Sequence, residues 1–457
     1  MTTQRLSITC AFLLSICSLT APSTLSAEQT SHIQKQLRLA PRAARDYDTH
    51  FNLLPSEEQQ ETGNAVPVLL RIVCERQVFM EKFYPRFREF AEMDVYDPRL
   101  DELPFDYFAK QIIRAGSMSD ANWQYPLRSE RPYLILLPDI QSQRQFLGSG
   151  MTAWIKQRLS KGKLDEALVG IQAQLACGRH CAATPILVCH LVGMSIANLA
   201  LDNLELAVRM GDCPNMYWSL AALSPTLHDL GPMVRWELWA MPTRLSEPLP
   251  AIGDEAWSRI TRRFIEYATE IDEAIYSKEE AEELRKNLDR LAKQELSTSA
   301  SFSEAEVERM SMDERIMRWL YYHDRRFRSR VEPLAYQSPI QIIATVQEID
   351  AESKELLAAT GSKSSLYPVR LPKGILACRN FERRVKFLQT IEAIRDYASK
   401  HDGGFPPSLN DLDLAAPNDP FTNKLFVYEV NEKSARLRQA EIEGFETALY
   451  DYELTVK

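Results

Sequence analysis

Residues 182–201 read AATPILVCHLVGMSIANLAL, a stretch with no charged side chain. It is about as long as a bilayer span, which needs roughly 20 apolar residues. Its reading therefore decides between a membrane segment and the centre of a helical globule. His190 and Asn198 interrupt it, and neither an aromatic belt nor a basic flank accompanies it. A helix that is apolar all round is also the expected centre of a large helical domain. The stretch is read as a core helix from Pro185 to Val208, with Pro185 as the first helical residue after Thr184.

Its neighbours extend the helical reading. Ile140–Ser160 and Leu164–Ala176 predict two helices joined by the turn Lys161-Gly162-Lys163, and Pro214 to Trp218 opens a fourth. The phrase Gly162-Lys163-Leu164-Asp165-Glu166-Ala167 is that of an inter-helix turn in a helical hairpin of tetratricopeptide type. Upstream, Val68, Leu69, Ile72, Val73, Arg76 and Val78 to Met80 follow the 3.6-residue period of a helix that ends before Pro85. Five prolines between Asp94 and Pro138 predict short helices and ordered loops, with Trp123 and Tyr125 as packing anchors.

Downstream, residues 252–330 are highly charged. Ser277 to Gln294, SKEEAEELRKNLDRLAKQ, predicts a solvated helix laced with ion pairs, with a break at Ser297–Ser303. Pro339–Ala358 is a further helix, and 359–376 is read as a linker. The last part changes texture. Ala377–Lys400 is a helix stopped by Asp402-Gly403-Gly404, Phe405 to Leu409 leads into a short turn, and Phe426–Val430 and Ala435–Gln439 read as strands. The fold class is mainly α: an irregular, tetratricopeptide-like helical-hairpin bundle over 62–358, with its core at 139–241 and charged helices at 252–330. A small α+β cap at 377–457 closes it.

The N-terminus reads as an export signal. Arg5 precedes the apolar run Leu6–Leu19, and Leu25-Ser26-Ala27 is a small-residue cleavage pattern, so 1–27 is a leader and the mature chain begins at Glu28. An uncleaved anchor is the alternative. A lipoprotein is disfavoured, because neither Cys10 nor Cys17 ends the apolar run. Residues 28–61 are read as an irregular polar stretch. The chain of 457 residues has a formal charge of −9. An acidic balance without a basic stripe speaks against nucleic acid and against docking on anionic lipid.

Two resemblances follow from the residues. Asn122-Trp123, Leu136 to Asp139, Gly162 to Ala167, Leu191 to Ala197 and Cys213 to Trp218 together resemble a family of exported helical planctomycete proteins over about 64–237. Cys213 stands where that pattern has a small residue. The resemblance implies a helical, exported protein and no particular reaction. Ile391 to Tyr397, Asp402 to Leu409, Asn418 to Lys424 and Tyr428 are similar to the globular end of type II secretion pseudopilins. The processing motif and the long apolar N-terminal helix of that family do not precede them, which removes the case for filament assembly.

Chemistry concentrates at Cys177, Cys181, Cys189 and Cys213, with His180 and His190 adjacent. Buried apolar thiols, a disulfide among the four, and a metal site are the three readings. The spacing is not that of paired zinc ligands, and buried thiols are preferred. Gly193-Met194-Ser195-Ile196-Ala197 loosely matches a nucleophile elbow, but that motif needs a strand before the serine. A mid-helix Ser195 is instead expected to bond a backbone carbonyl. Asp411, Asp413, Asn418 and Asp419 are possible Ca²⁺ ligands without a loop signature. Trp236 with Trp239, and Tyr321 to Phe327, are aromatic clusters that either pack the core or line a groove. No residue is assigned as catalytic, cofactor-binding or metal-binding. The expectation is a non-catalytic exported scaffold whose partners are other proteins. A metal-dependent enzyme using the Cys177–His190 cluster and a part of a secretion or pilus-like apparatus are the alternatives.

Overall fold

The computed structural model describes residues 32–456 except 48–49, 75–81, 130–134, 136, 225–226, 241–248, 262–277, 300–301, 362–369, 432, 444 and 446–447. The leader 1–27 lies outside the described residues.

The strands are β1 (His32–Leu39), β2 (Glu61–Asn64), β3 (Met118–Asp120), β4 (Val427–Val430), β5 (Ser434–Arg438) and β6 (Leu449–Val456). The first helices are α1 (Val66–Cys74), α2 (Phe87–Glu92), α3 (Asp106–Ser117), α4 (Pro138–Gln143) and α5 (Met151–Ser160). The central ones are α6 (Leu164–Ala182), α7 (Leu187–Met210), α8 (Tyr217–Ala221) and α9 (Leu230–Ala240). The later ones are α10 (Lys278–Ser299), α11 (Glu304–Arg309), α12 (Met312–Val331), α13 (Pro339–Thr360) and α14 (Arg370–Lys400). The protein is mainly α-helical with a small C-terminal α+β cap.

The apolar stretch forms α7, and most of its apolar window is buried inside the protein. It runs against α6 at a very close crossing. A Cβ on Gly193 would lie 2.4 Å from the Gly178 carbonyl oxygen, and one on Gly178 would lie 2.8 Å from the Gly193 oxygen. The phrase that echoes a nucleophile elbow is thus a backbone contact between two helices, where small residues let the chains approach. The turn at Gly162 has φ +69°, the left-handed conformation that glycine adopts without strain, and it joins α5 to α6 as the sequence indicates.

The helix expected over Ile140–Ser160 is continuous but not uniform. Between α4 and α5, Arg144–Gly150 winds as a π-helix. Gly148 and Gly150 in it abut Leu199 and Phe105, so the wide turn fits a crowded site between Phe87, Phe105 and α7. The helix after Pro185 starts two residues late, at Leu187, because Thr184 and Ile186 form a turn.

Three expectations need correction. Residues 28–61 are not uniformly irregular: His32–Leu39 is a strand that pairs in parallel, in full register, with the C-terminal strand β6. The sheet order is β1-β6-β5-β4, with the other pairs antiparallel. The cap is therefore completed by the other end of the chain. Second, 370–376 of the presumed linker are the first two turns of α14. This helix is buried on several sides, by Leu376, Phe381, Val385, Phe387 and Ile391. Third, the Lys278–Ser299 helix is not merely solvated. Leu288, Ala292 and Leu296 form a buried stripe at i, i+4, i+8 that packs with Trp257, Met317 and Trp319 in a second hydrophobic cluster. The strands expected at 426–430 and 435–439 are found at 427–430 and 434–438.

Candidate functional site

The sulfur cluster comes first. Cys177 and Cys181 sit one turn apart on α6, Cys189 in the first turn of α7, and Cys213 just past its end. All four are buried and all are free thiols, as is Cys378 on α14, whereas Cys74 is exposed. Cys177 Sγ lies 3.6 Å from the Ile112 carbonyl of α3, and His180 Nε2 donates to the Ala115 carbonyl at 3.1 Å. The Trp123 indole donates to the His180 carbonyl at 2.9 Å, so this anchor packs the loop after β3 onto α6. Burial pushes the Cys181 and Cys213 thiols up to about 12 and drives both His180 and His190 down to about 4. Neutral thiols and neutral imidazoles result. Among the described residues, no three His, Cys, Asp or Glu side chains converge as a metal-ligand set.

The remaining candidates are dispersed. Ser195 lies in the middle of α7, and its hydroxyl accepts from Arg144 Nε at 3.4 Å instead of bonding a backbone carbonyl. Asp419 is buried and takes a bidentate bond from Arg383, Asp411 accepts from the Ser408 hydroxyl, and Asp413 pairs with Lys400. Trp236 donates to the Leu127 carbonyl at 3.1 Å, and Trp239 is half-buried on the same helix. Tyr321 is buried, Tyr322 is exposed, and His323 bonds Glu295 at 2.7 Å beside the Trp319 ring.

The densest convergence of titratable groups lies elsewhere, where the sheet meets the helices. Lys35 of β1, Asp202 and Glu205 of α7, Arg384 of α14, and Tyr450 and Tyr452 of β6 meet there. Lys35 Nζ is 3.1 Å from Glu205 Oε1 and 3.3 Å from Asp202 Oδ1. Arg384 pairs with Glu205, reaches Asp202 at 3.3 Å, and donates to the Tyr452 oxygen at 2.6 Å. The Tyr452 hydroxyl donates to Glu205 in turn. The Arg384 guanidinium lies 3.8 Å from the Tyr450 ring centre, a cation–π stack. Its side chain is 3% exposed while Asp202 is 42% exposed, so the cluster opens to solvent only at its rim.

Burial opposes the charge on Glu205, but Arg384, Lys35 and the Tyr452 hydrogen bond together hold it below the ordinary carboxylate range. Burial raises the Tyr452 phenol, so it stays neutral and serves as a donor. A buried charge set of this kind is stable only when each member has partners, and here each carboxylate faces two cations. Further along α14, Arg395 pairs with Glu392 at 2.8 Å and donates to the carbonyls of Ala40 and Cys213. Asp396 accepts from the Ala44 amide at 2.8 Å. The same helix thus fixes β1, the segment after it, and the end of α7. Chemically this is a fastening, in which the carboxylates accept from Lys35, Arg384 and Tyr452 while the Arg384 Nε has no hydrogen-bond partner among the described residues.

A sequence signal for the cluster exists. Asp202 and Glu205, three apart, are the only acids in α7, and Arg383-Arg384, Glu392, Arg395 and Asp396 lie on a helix otherwise rich in core residues. Charges on a buried helix ask for partners, but nothing local says which. On the solvent side of the same sheet lies a polar groove of about 240 Å³ whose lining includes His32, Gln34, Arg436, Glu441 and Asp451. Its charges are also paired, Arg436 with Asp451 at 2.5 Å and His32 with Glu441 at 3.2 Å. No protein-family model, no curated protein and no solved structure matches the chain.

Proposed function

We propose that the chain is an exported, non-catalytic helical scaffold that acts by contact with other proteins. The observation that carries this reading is the state of its reactive side chains. Burial raises the thiols and lowers the imidazoles beside them, so near neutral pH the thiols stay protonated and the imidazoles are weak bases. The charged groups that converge on Glu205 are engaged with one another across distant segments, which suits a rigid support. Exposed aromatic and apolar side chains such as Tyr336, 63% exposed, and Ile340 at the start of α13 offer contact surface.

The test is thiol accessibility and metal content in the native mature protein. A thiol reagent should label Cys74 quickly and Cys177, Cys181, Cys189, Cys213 and Cys378 only on unfolding. Stoichiometric bound metal that disappears in Cys181→Ala would overturn the reading in favour of a metalloenzyme.

A further inference from the structure

The widened turn between α4 and α5 is matched by a buried amide on the neighbouring helix. Residues Arg144–Gly150 wind as a π-helix, and the Met151 amide at its end donates to the Phe146 carbonyl, five residues back. A regular α-helix would bring that amide to Leu147, four residues back. The Leu147 carbonyl instead accepts Gln174 Nε2 of α6 at 2.8 Å, and the same nitrogen lies 3.1 Å from the Gly148 carbonyl. Gln174 is itself held. Asn203 Nδ2 of α7 donates to Gln174 Oε1 at 2.9 Å and to Thr152 Oγ1 at 3.0 Å. An amide whose oxygen is taken in this way must turn its nitrogen toward the helix. Gln174, Asn203 and Thr152 are all buried, where polar groups persist when they are paired.

We infer that Gln174 is a register latch: its amide, braced by Asn203, holds one extra residue in the turn and so sets how α4 grips its neighbours. One residue of helix is worth about 100° of rotation and about 1.5 Å of rise. A change of register therefore turns α4 against α5. Two bonds at the end of α4 depend on the present setting. Gln143 Nε2 donates to the Leu69 carbonyl of α1 at 3.1 Å, and Arg144 Nε donates to the Ser195 hydroxyl of α7 at 3.4 Å. The glycines give the wide turn room, since a Cβ on Gly150 would lie 2.7 Å from the Phe105 ring. They supply no side-chain donor to the Leu147 carbonyl, and Gln174 does. Without that donor the buried carbonyl recovers a partner by taking the Met151 amide, which tightens the turn to α-helix and carries Gln143 and Arg144 off their places.

A crystal structure of Gln174→Met, which keeps the length of the side chain and removes its donor, reads the register directly. The Met151 amide should bond Leu147 and no longer Phe146, and Gln143 should leave the Leu69 carbonyl. Deletion of Ser149 gives a second reading, because it removes the extra residue and lets α4 and α5 join as one α-helix. In the native sequence this deletion strands the Gln174 amide and should lower the urea midpoint. In Gln174→Met it should raise the midpoint, or restore folding if Gln174→Met does not fold alone. A π-turn retained in Gln174→Met, or a deletion equally harmful in both backgrounds, would overturn the latch.

Discussion

Arg384 and Arg318 are both buried guanidiniums stacked on aromatic rings, yet they hold the molecule together over different ranges. Arg318, on α12, lies 4.6 Å from the Trp257 ring and 5.5 Å from the Phe302 ring. It pairs with Glu314 one turn away at 2.9 Å and donates to the Pro250 carbonyl. Its partners lie in or next to the charged region, whose hydrophobic cluster is separate from the main one. Arg384 binds Glu205 on another helix, 179 positions away, and Tyr452 on the last strand. One arginine stiffens a local arm. The other joins the last strand to the central helix α7, whose Asp202 and Glu205 also hold Lys35 of the first strand.

The comparison breaks or sharpens under mutation. Arg384→Ala removes the strongest partner of a buried carboxylate, and such a loss costs about 3–5 kcal/mol. Urea unfolding should show this as a global destabilisation with lost exchange protection in β1 and β6. Arg318→Ala should cost less, about 2–3 kcal/mol, because Glu314 keeps the Gly253 amide at 2.9 Å. Its exchange changes should stay within 249–331. Equal, global effects from both variants would erase the distinction.

Acid should separate the regions next. His180 and His190, held near 4, bind fewer protons in the folded than in the unfolded state between about pH 4 and 6.5. Their contribution is full above about 6.5 and is lost as pH falls toward 4. Amide exchange at pH 4.5 should therefore loosen α6 and α7 before α10 and α12. The smallest effect belongs to the arm. Ser303 caps α11, accepting the Glu306 amide while Glu306 bonds back to the Ser303 amide. Ser303→Ala should cost about 1 kcal/mol, read as a small shift in urea midpoint with no change in the sheet.

The same contrast explains what could be read from the sequence. Features set by neighbours in the chain were legible: the Gly162 turn, the Gly403 helix stop at φ +82°, and the β4–β5 hairpin. The break expected at Ser297–Ser303 is shorter: Ser297–Ser299 still belong to α10, and Phe302 and Ser303 lie outside helix before α11. Features set by distant partners were not. Along β1, Ile33, Lys35, Leu37 and Leu39 turn toward the helices. A lysine at an inward place breaks the apolar alternation that marks a strand, and it makes sense only beside Glu205, 170 positions on. Strand β6 carries Asp451 and Tyr452, whose partners are Arg436 and Arg384. The Gly193 phrase has its meaning in Gly178, on the neighbouring helix. The candidate site stayed hidden for the same reason, since its residues come from four separate stretches of chain.

The central claim is that the N-terminal strand completes the C-terminal sheet and is clamped there by the cluster around Glu205. Amide exchange on the chain with residues 32–39 deleted tests it most directly. The β6 amides between Leu449 and Val456 that face β1 should lose their protection, while α10 and α12 keep theirs. Unchanged protection along β6 would contradict the claim and make the C-terminal cap a module that stands without the first strand.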